Sequence, residues 1–214
     1  MASAFDFKKE YKELYLPKTK PGVVDVPGML FIMIDGRGDP NTSIDYKNAL
    51  EVLYGLSYSI KMSKKSGAQP KGYFEYVVPP LEGLWWGEDG YFDGIGIADK
   101  EKLCWTSMIR QPDFVTQEAF KLAKQTLNKK KPELDISRAR LVSFTEGACA
   151  QVMHCGSYDD EPATIRALEA FIADSGYRTD LSDTRKHHEI YLGDPRRTAP
   201  EKLRTVIRHP IIKQ

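Results

Sequence analysis

Two segments of the chain share an order of elements and an ending, and this internal repeat constrains the fold more than any other feature. In the first, GMLFIMIDGRGDP (28–40) reads as a strand, followed by an amphipathic helix near 45–62, a strand YFEYVV (73–78) and a strand KLCWTSMIRQP (102–112). In the second, GACAQVMHCGSYDD (147–160) leads to a helix near 162–175, then HHEIYL (187–192) and KLRTVIRHP (202–210). The order is βαββ twice, and Ile109-Arg110-Gln111-Pro112 matches Ile207-Arg208-His209-Pro210 almost letter for letter. On this alignment Glu75 in YFEYVV falls where Glu189 falls in HHEIYL. The expectation is a single α+β domain over 1–214: a first unit at about 28–112, a connecting helix at about 113–131 and a second unit at about 139–214. Pseudo-twofold symmetry would join the units into one antiparallel sheet, with helices on one face and a ligand cleft between the halves.

Helical spacing of apolar residues supports the helices. Tyr46, Ala49, Leu50, Leu53, Ser57 and Ile60 share one face of the first, with Ser43 or Asp45 as its cap, and Ile165, Leu168, Phe171 and Ile172 share one face of the second, with Pro162 in its opening turn. A third helix at 115–128 would bury Val115, Ala119, Leu122, Ala123 and Thr126, and NKKKPELD after it reads as a solvated connector.

The units differ in one place. Between the matched glutamate and arginine the first unit is longer, and the excess contains PPLEGLWWGEDGYFDGIG with Trp85, Trp86, Tyr91 and Phe92. So long a loop in a compact domain is usually functional; the alternative is a hairpin that covers an apolar edge.

Strand parity places His188, Ile190 and Leu192 on one face of HHEIYL and His187, Glu189 and Tyr191 on the other. If the helices cover the more apolar sets, Glu189 and Glu75 point to a helix-free face among tyrosine, histidine and valine. An aromatic loop folded over that face would make a cleft with an acidic floor; the alternative is two solvent-facing carboxylates paired with arginines. Glu146, at the end of RLVSFTEG, reaches the same cleft or merely enters a turn, and Tyr158 reaches its rim or packs on the second helix. His154 reads as a core histidine, and GRGDP as turn chemistry without the ending of a phosphate loop.

Composition excludes several classes. Thirty-one Lys and Arg against 30 Asp and Glu leave a net charge of +1, so no field draws nucleic acid or a membrane surface. Neither a transmembrane run nor a signal-peptide pattern is seen, and a cytoplasmic protein is expected. Cys104, Cys149 and Cys155 read as reduced, buried thiols, and Cys149-x5-Cys155 beside His154 lacks zinc-ligand spacing. No metal and no cofactor is expected.

The tandem layout, the turn HCGSYDD, the ending HHEIYLGDPRRTAPEKLRTVIRHPI, and DFKKEYKELYLPK and GYFEYVVPPLEGLWW in the first half resemble the GyrI-like small-molecule-binding domain, in a single-domain bacterial branch. The resemblance covers nearly the whole chain. It implies a pseudo-twofold α+β domain in which a glutamate of the last repeat's middle strand meets the ligand, and Glu189 holds that position. Some relatives are effector domains of multidrug-responsive activators, and one is named for inhibition of DNA gyrase. About 27 residues before the first repeat strand are too few for a winged-helix domain. Without an acidic DNA-mimicking stretch or an exposed apolar helix, a gyrase interaction is not expected.

The branch with the aromatic loop resembles hydrolases that open the cyclopropane of cyclopropanoid DNA-alkylating toxins. For a planar aromatic ligand the candidate stacking walls are Trp85, Trp86, Tyr91, Trp105 and Tyr191, with Glu75 on the acidic floor that strand parity suggests. Glu189 or Glu146 would be the base, with its pKa raised by the apolar pocket, and Tyr158 would donate to the developing oxyanion. The alternative is a protein that sequesters planar or cationic drugs without chemistry; both need the same walls.

Overall fold

The computed structural model describes residues 4–88, 92, 94–95 and 99–214. Two single-turn helices, α1 (Phe7–Glu10) and α2 (Lys12–Tyr15), precede strands β1 (Gly22–Val26) and β2 (Met29–Arg37), helix α3 (Ile44–Met62), strands β3 (Leu81–Gly87) and β4 (Leu103–Gln111), and helix α4 (Gln117–Lys130). The second half contains β5 (Arg140–Phe144), β6 (Gly147–Cys155), α5 (Glu161–Asp174), β7 (Tyr177–Thr179), β8 (His187–Tyr191) and β9 (Arg204–Lys213). The strands form one curled antiparallel sheet in the order β1-β6-β9-β8-β3-β4-β2-β5, with β7 pairing β9. The repeat is therefore β2-α3-β3-β4 followed by β6-α5-β8-β9, and β3 pairs with β8 at the centre.

One expected strand moves. Residues 73–78 make a single isolated bridge, Phe5 to Tyr76, while β3 is LEGLWWG, from the segment expected to be a loop. β3 has ladders on both edges, to β4 and to β8, which satisfies its backbone twice over, whereas YFEYVV has only the N-terminal segment beside it. Register then replaces Glu75 as the counterpart of Glu189: Ile109 pairs with Leu81 where the matching Ile207 pairs with Glu189.

Alternation sends Ile32, Ile34, Leu81, Trp105 and Ile109 to one face, under α3 and α4, and Ala150, Val152 and Ile207 to the same face under α5. Ser43 starts α3 by accepting from the Tyr46 backbone N–H at 3.1 Å. Where α3 meets α4, a Cβ on Gly55 would fall 2.8 Å from Leu127 Cδ1, so only glycine permits that approach. Of the expected stripe Val115 and Ala123 are buried and Ala119 and Thr126 half-buried, but α4 adds Phe120 and Leu127 to its buried face, and Leu122 is exposed because the larger Phe120 takes the inward position.

The opposite face is also closed. Phe31, Met33, Leu84, Met108, Ile190 and Val206 pack there against Phe7, Leu14, Tyr15 and Tyr76. The expectation that the helices cover the Ile190 face is thus reversed: Glu189, paired with Ile207, lies on the helix side. Parity separated the two sets correctly, but the more apolar set is covered by the N-terminal segment with its single-turn helices α1 and α2 and by residues 73–78, instead of by the repeat helices α3 and α5. The three cysteines are free, and only Cys149 is buried; Cys104 is half-buried and Cys155 exposed. Among the described residues no helix is long and apolar enough to cross a membrane.

Candidate active site on the helix face

Glu189 stands at the middle of β8, and the two-residue period of the strand puts His187 and Tyr191 on either side of it. Tyr191 Oη donates to Glu189 Oε2 at 2.7 Å, and His187 Nε2 lies 2.8 Å from Glu189 Oε1. Trp85 Nε1 in turn donates to Tyr191 Oη at 2.9 Å. Gly83, opposite Glu189 in the ladder, makes this reach possible: a Cβ there would fall 2.7 Å from Trp85 Nε1. The Glu189 side chain is 13% exposed, half-buried and still open to solvent.

Aromatic rings from both repeats surround it. Tyr46, in the first turn of α3, packs 5.9 Å from Trp85 and 5.0 Å from Trp105, ring to ring. Tyr158, in the turn that leads into α5, meets Tyr191 edge to face at 5.8 Å. From the excess segment, Phe92 lies 5.7 Å from the His187 ring. The beginnings of α3 and α5 thus flank the carboxylate.

Two carboxyls in this site are pushed in opposite directions. Burial opposes the charge of Glu189, but the hydrogen bond and charge of His187 and the Tyr191 hydroxyl outweigh it and hold its pKa below the usual range. This reverses the expected rise. Burial, and then the charge of Glu189, push Glu161 at the start of α5 well above the usual range, which favours its neutral form beside the Glu189 carboxylate.

Glu146 lies on the other face. Its Oε2 is 3.0 Å from His188 Nδ1 and accepts from Arg208 Nη1 at 2.8 Å. Arg208 also donates to Gln151 Oε1 and to the Leu14 carbonyl, and Glu82 Oε2 stands 3.1 Å from His188 Nε2. Burial opposes both charges, yet the pair holds Glu146 down to about 2 and lifts His188 to about 9. This is a buried, mutually neutralised network.

The structure therefore brings Glu189, Trp85, Tyr158 and Tyr191 together, with Trp105 fully buried behind Tyr46. Glu146 is separated from them by the sheet. Trp86 is a strand step away from Trp85, with the Lys186 ammonium 4.9 Å over its ring. Glu75 is at the surface, bonded to Lys64 at 2.8 Å. Tyr91 lies outside the described residues. Two members escaped the sequence reading. The helical spacing assigns Tyr46 only to a helix core position, and Glu161 sits between Asp160 and Pro162 with no partner in the motif, although an acid at a helix start is itself a signal.

Comparison with known proteins agrees with this architecture. A conserved protein from Listeria innocua described as uncharacterized is 47% identical and superposes with a TM-score of 0.91, over 97% of this chain and 100% of its own. A Listeria innocua hydrolase encoded by lin2189 is 46% identical, with a TM-score of 0.90 over 98% and 100% of the two chains. The EcmrR C-terminal domain, 10% identical with a TM-score of 0.53 over 91% and 98%, shares the fold. A search of curated proteins finds no match. The GyrI-like small molecule binding domain matches residues 19–212, and the chain belongs to that family.

Proposed function

We propose that this protein is a cytoplasmic detoxifying hydrolase that opens the cyclopropane ring of cyclopropanoid genotoxins by adding water, with Glu189 as the base. The observation that carries the reading is the Glu189 carboxylate itself, 13% exposed, hydrogen-bonded by Tyr191 and His187 and ringed by aromatic side chains from both repeats. Relatives of 45–47% identity include proteins described as hydrolases.

The substrate class has a cyclopropane conjugated to a dienone, planar enough to stack on Tyr46, Tyr158 and Tyr191. Water attacks a ring carbon as the strained carbon–carbon bond breaks, and that electron pair moves through the dienone to the carbonyl oxygen as a phenolate. The proton of the attacking water goes to Glu189, and the phenolate takes one from Glu161 or the Tyr158 hydroxyl. Solvent then restores both groups, so the net change is addition of one water. A low pKa makes Glu189 a weaker acceptor than a base tuned near neutrality, but ionised throughout the physiological range. Orientation of the water and release of ring strain carry the rest of the barrier. Glu146, neutralised by His188 and Arg208, is left with a structural role.

The same ionised carboxylate among tyrosines also suits a planar cation held without chemistry. Purified protein mixed in less than stoichiometric amount with a cyclopropanoid, followed by product mass, separates the two: complete conversion to the water adduct supports the enzyme, and recovery of unchanged compound in stoichiometric complex supports the sequestering protein.

A further inference from the structure

His187 has a second partner besides Glu189. Its Nδ1 lies 2.7 Å from His209 Nε2, and His209 Nδ1 makes a short contact with Glu169 Oε1. Thr179 Oγ1 donates to the other Glu169 oxygen at 2.6 Å. Both imidazoles are fully buried, crossing at 72° with centroids 5.0 Å apart. Glu189, His187, His209 and Glu169 therefore form an unbroken chain from the centre of the sheet to α5, where the Glu169 side chain is 34% exposed.

Proton counting constrains this chain. Each of its three hydrogen bonds holds one proton, so the chain needs three. Two neutral imidazoles bring one each and two carboxylates bring none. The third proton sits on an imidazole, making it an imidazolium, or on one of the carboxyls.

We propose that Glu169 is a positioning residue that captures the third proton for this chain, so that an imidazolium between the two glutamates keeps Glu189 ionised in its buried site. The inference rests on reading Glu189 as the functional carboxylate. Among the described residues, the other titratable groups that act on it include Tyr191 from β8, Tyr46 from α3, Tyr158 and Glu161 at the start of α5, and His188 behind the strand. The tyrosines and Glu161 are neutral or anionic, so among these described groups of the helix face the compensating positive charge comes from the chain. The chain also returns a proton outward. When its third proton is on Glu189, three in-bond steps suffice: Glu189 to His187 Nε2, His187 Nδ1 to His209 Nε2, and His209 Nδ1 to Glu169. They restore the Glu189 carboxylate and leave the proton on the half-exposed Glu169, with no passage through the ligand side.

The test uses the ligand-free protein. With ¹⁵N-labelled histidine, His187 and His209 together are expected to show three slowly exchanging ring N–H protons at neutral pH, two in Glu169→Gln, and three again in Glu169→Asp. The ¹³C signal of the Glu189 carboxyl is expected to titrate on the order of one pH unit higher in Glu169→Gln, a tenfold change in its proton affinity. Two ring protons in the wild type, or an unchanged count and midpoint in Glu169→Gln, would overturn the proposal. Both readouts are independent of turnover. A protein that passes them yet leaves a cyclopropanoid unhydrolysed refutes the hydrolase reading and not the relay; where turnover is seen, the acid limb of kcat shifts upward with the carboxyl.

Discussion

His188 and Glu189 are consecutive residues that belong to two charge networks on opposite sides of the sheet: His188 pairs with Glu146 and Glu82 on the back, Glu189 with His187 and Tyr191 on the helix face. One peptide unit separates a structural ion cluster from the candidate active site. That division tells which glutamate substitution should harm chemistry and which should harm folding.

Glu189→Gln keeps the shape of the side chain and removes the proton acceptor. Single-turnover rates with a cyclopropanoid are expected to fall by about 10² or more, from loss of general-base assistance, while ligand affinity stays within about threefold. A parallel loss of affinity and rate would instead make Glu189 an electrostatic anchor.

Glu146→Gln takes from the buried Arg208 its carboxylate hydrogen-bond partner and leaves His188 with Glu82 alone. Urea unfolding is expected to show a loss of about 3–5 kcal/mol, the usual cost of removing one partner from a buried pair. A variant that unfolds like the wild type but has lost turnover would make Glu146 the base.

The same network sets a pH window. Glu146, depressed to about 2, stabilises the fold above its ordinary pKa of 4.5, and that contribution is lost as pH falls toward 2. His188, raised to about 9, stabilises the fold fully below its ordinary 6.5, and that contribution is lost as pH rises through 9. Urea midpoints should therefore decline on both sides of the interval between those ordinary values, and the alkaline decline should flatten in Glu146→Gln. An alkaline decline of equal size in both proteins would assign it to another group.

Tyr158 and Trp86 give a paired test of the ligand wall. Tyr158, 36% exposed and edge to face with Tyr191, should cost about five- to tenfold in affinity for a planar ligand when changed to alanine, as expected for an aromatic contact. Trp86→Ala, a strand step away beside Lys186, should change affinity less than twofold. Fluorescence or calorimetric titration decides; equal effects would move the binding face.

Local pattern was enough for much of the fold. The repeated Ile-Arg endings marked β4 and β9, and the structure shows what they do. Arg208 donates to the Leu14 carbonyl, and Arg110 lies over the rings of Phe7 and Tyr11 at 4.7 and 4.3 Å, so both anchor the N-terminal segment to the back of the sheet. The helix spacings located α3 and α5, and strand parity set Glu189 apart from His188, because both periods come from backbone geometry within one element.

What the sequence by itself determined was therefore the two βαββ units, the family and the alternation of Glu189 with His188. Tertiary structure alone decided which side of the sheet each alternating set faces, since a period has no sign until a distant segment covers one face; here residues 5–15 and 73–78 took the apolar side that the repeat helices were expected to take. It alone chose LEGLWWG over YFEYVV as the central strand, because ladders to both β4 and β8 satisfy more backbone groups than one edge contact. It also joined Tyr46, Glu161, Glu169 and His209 to Glu189, groups far apart in the chain whose proximity depends on how α3 and α5 pack across the β3–β8 seam.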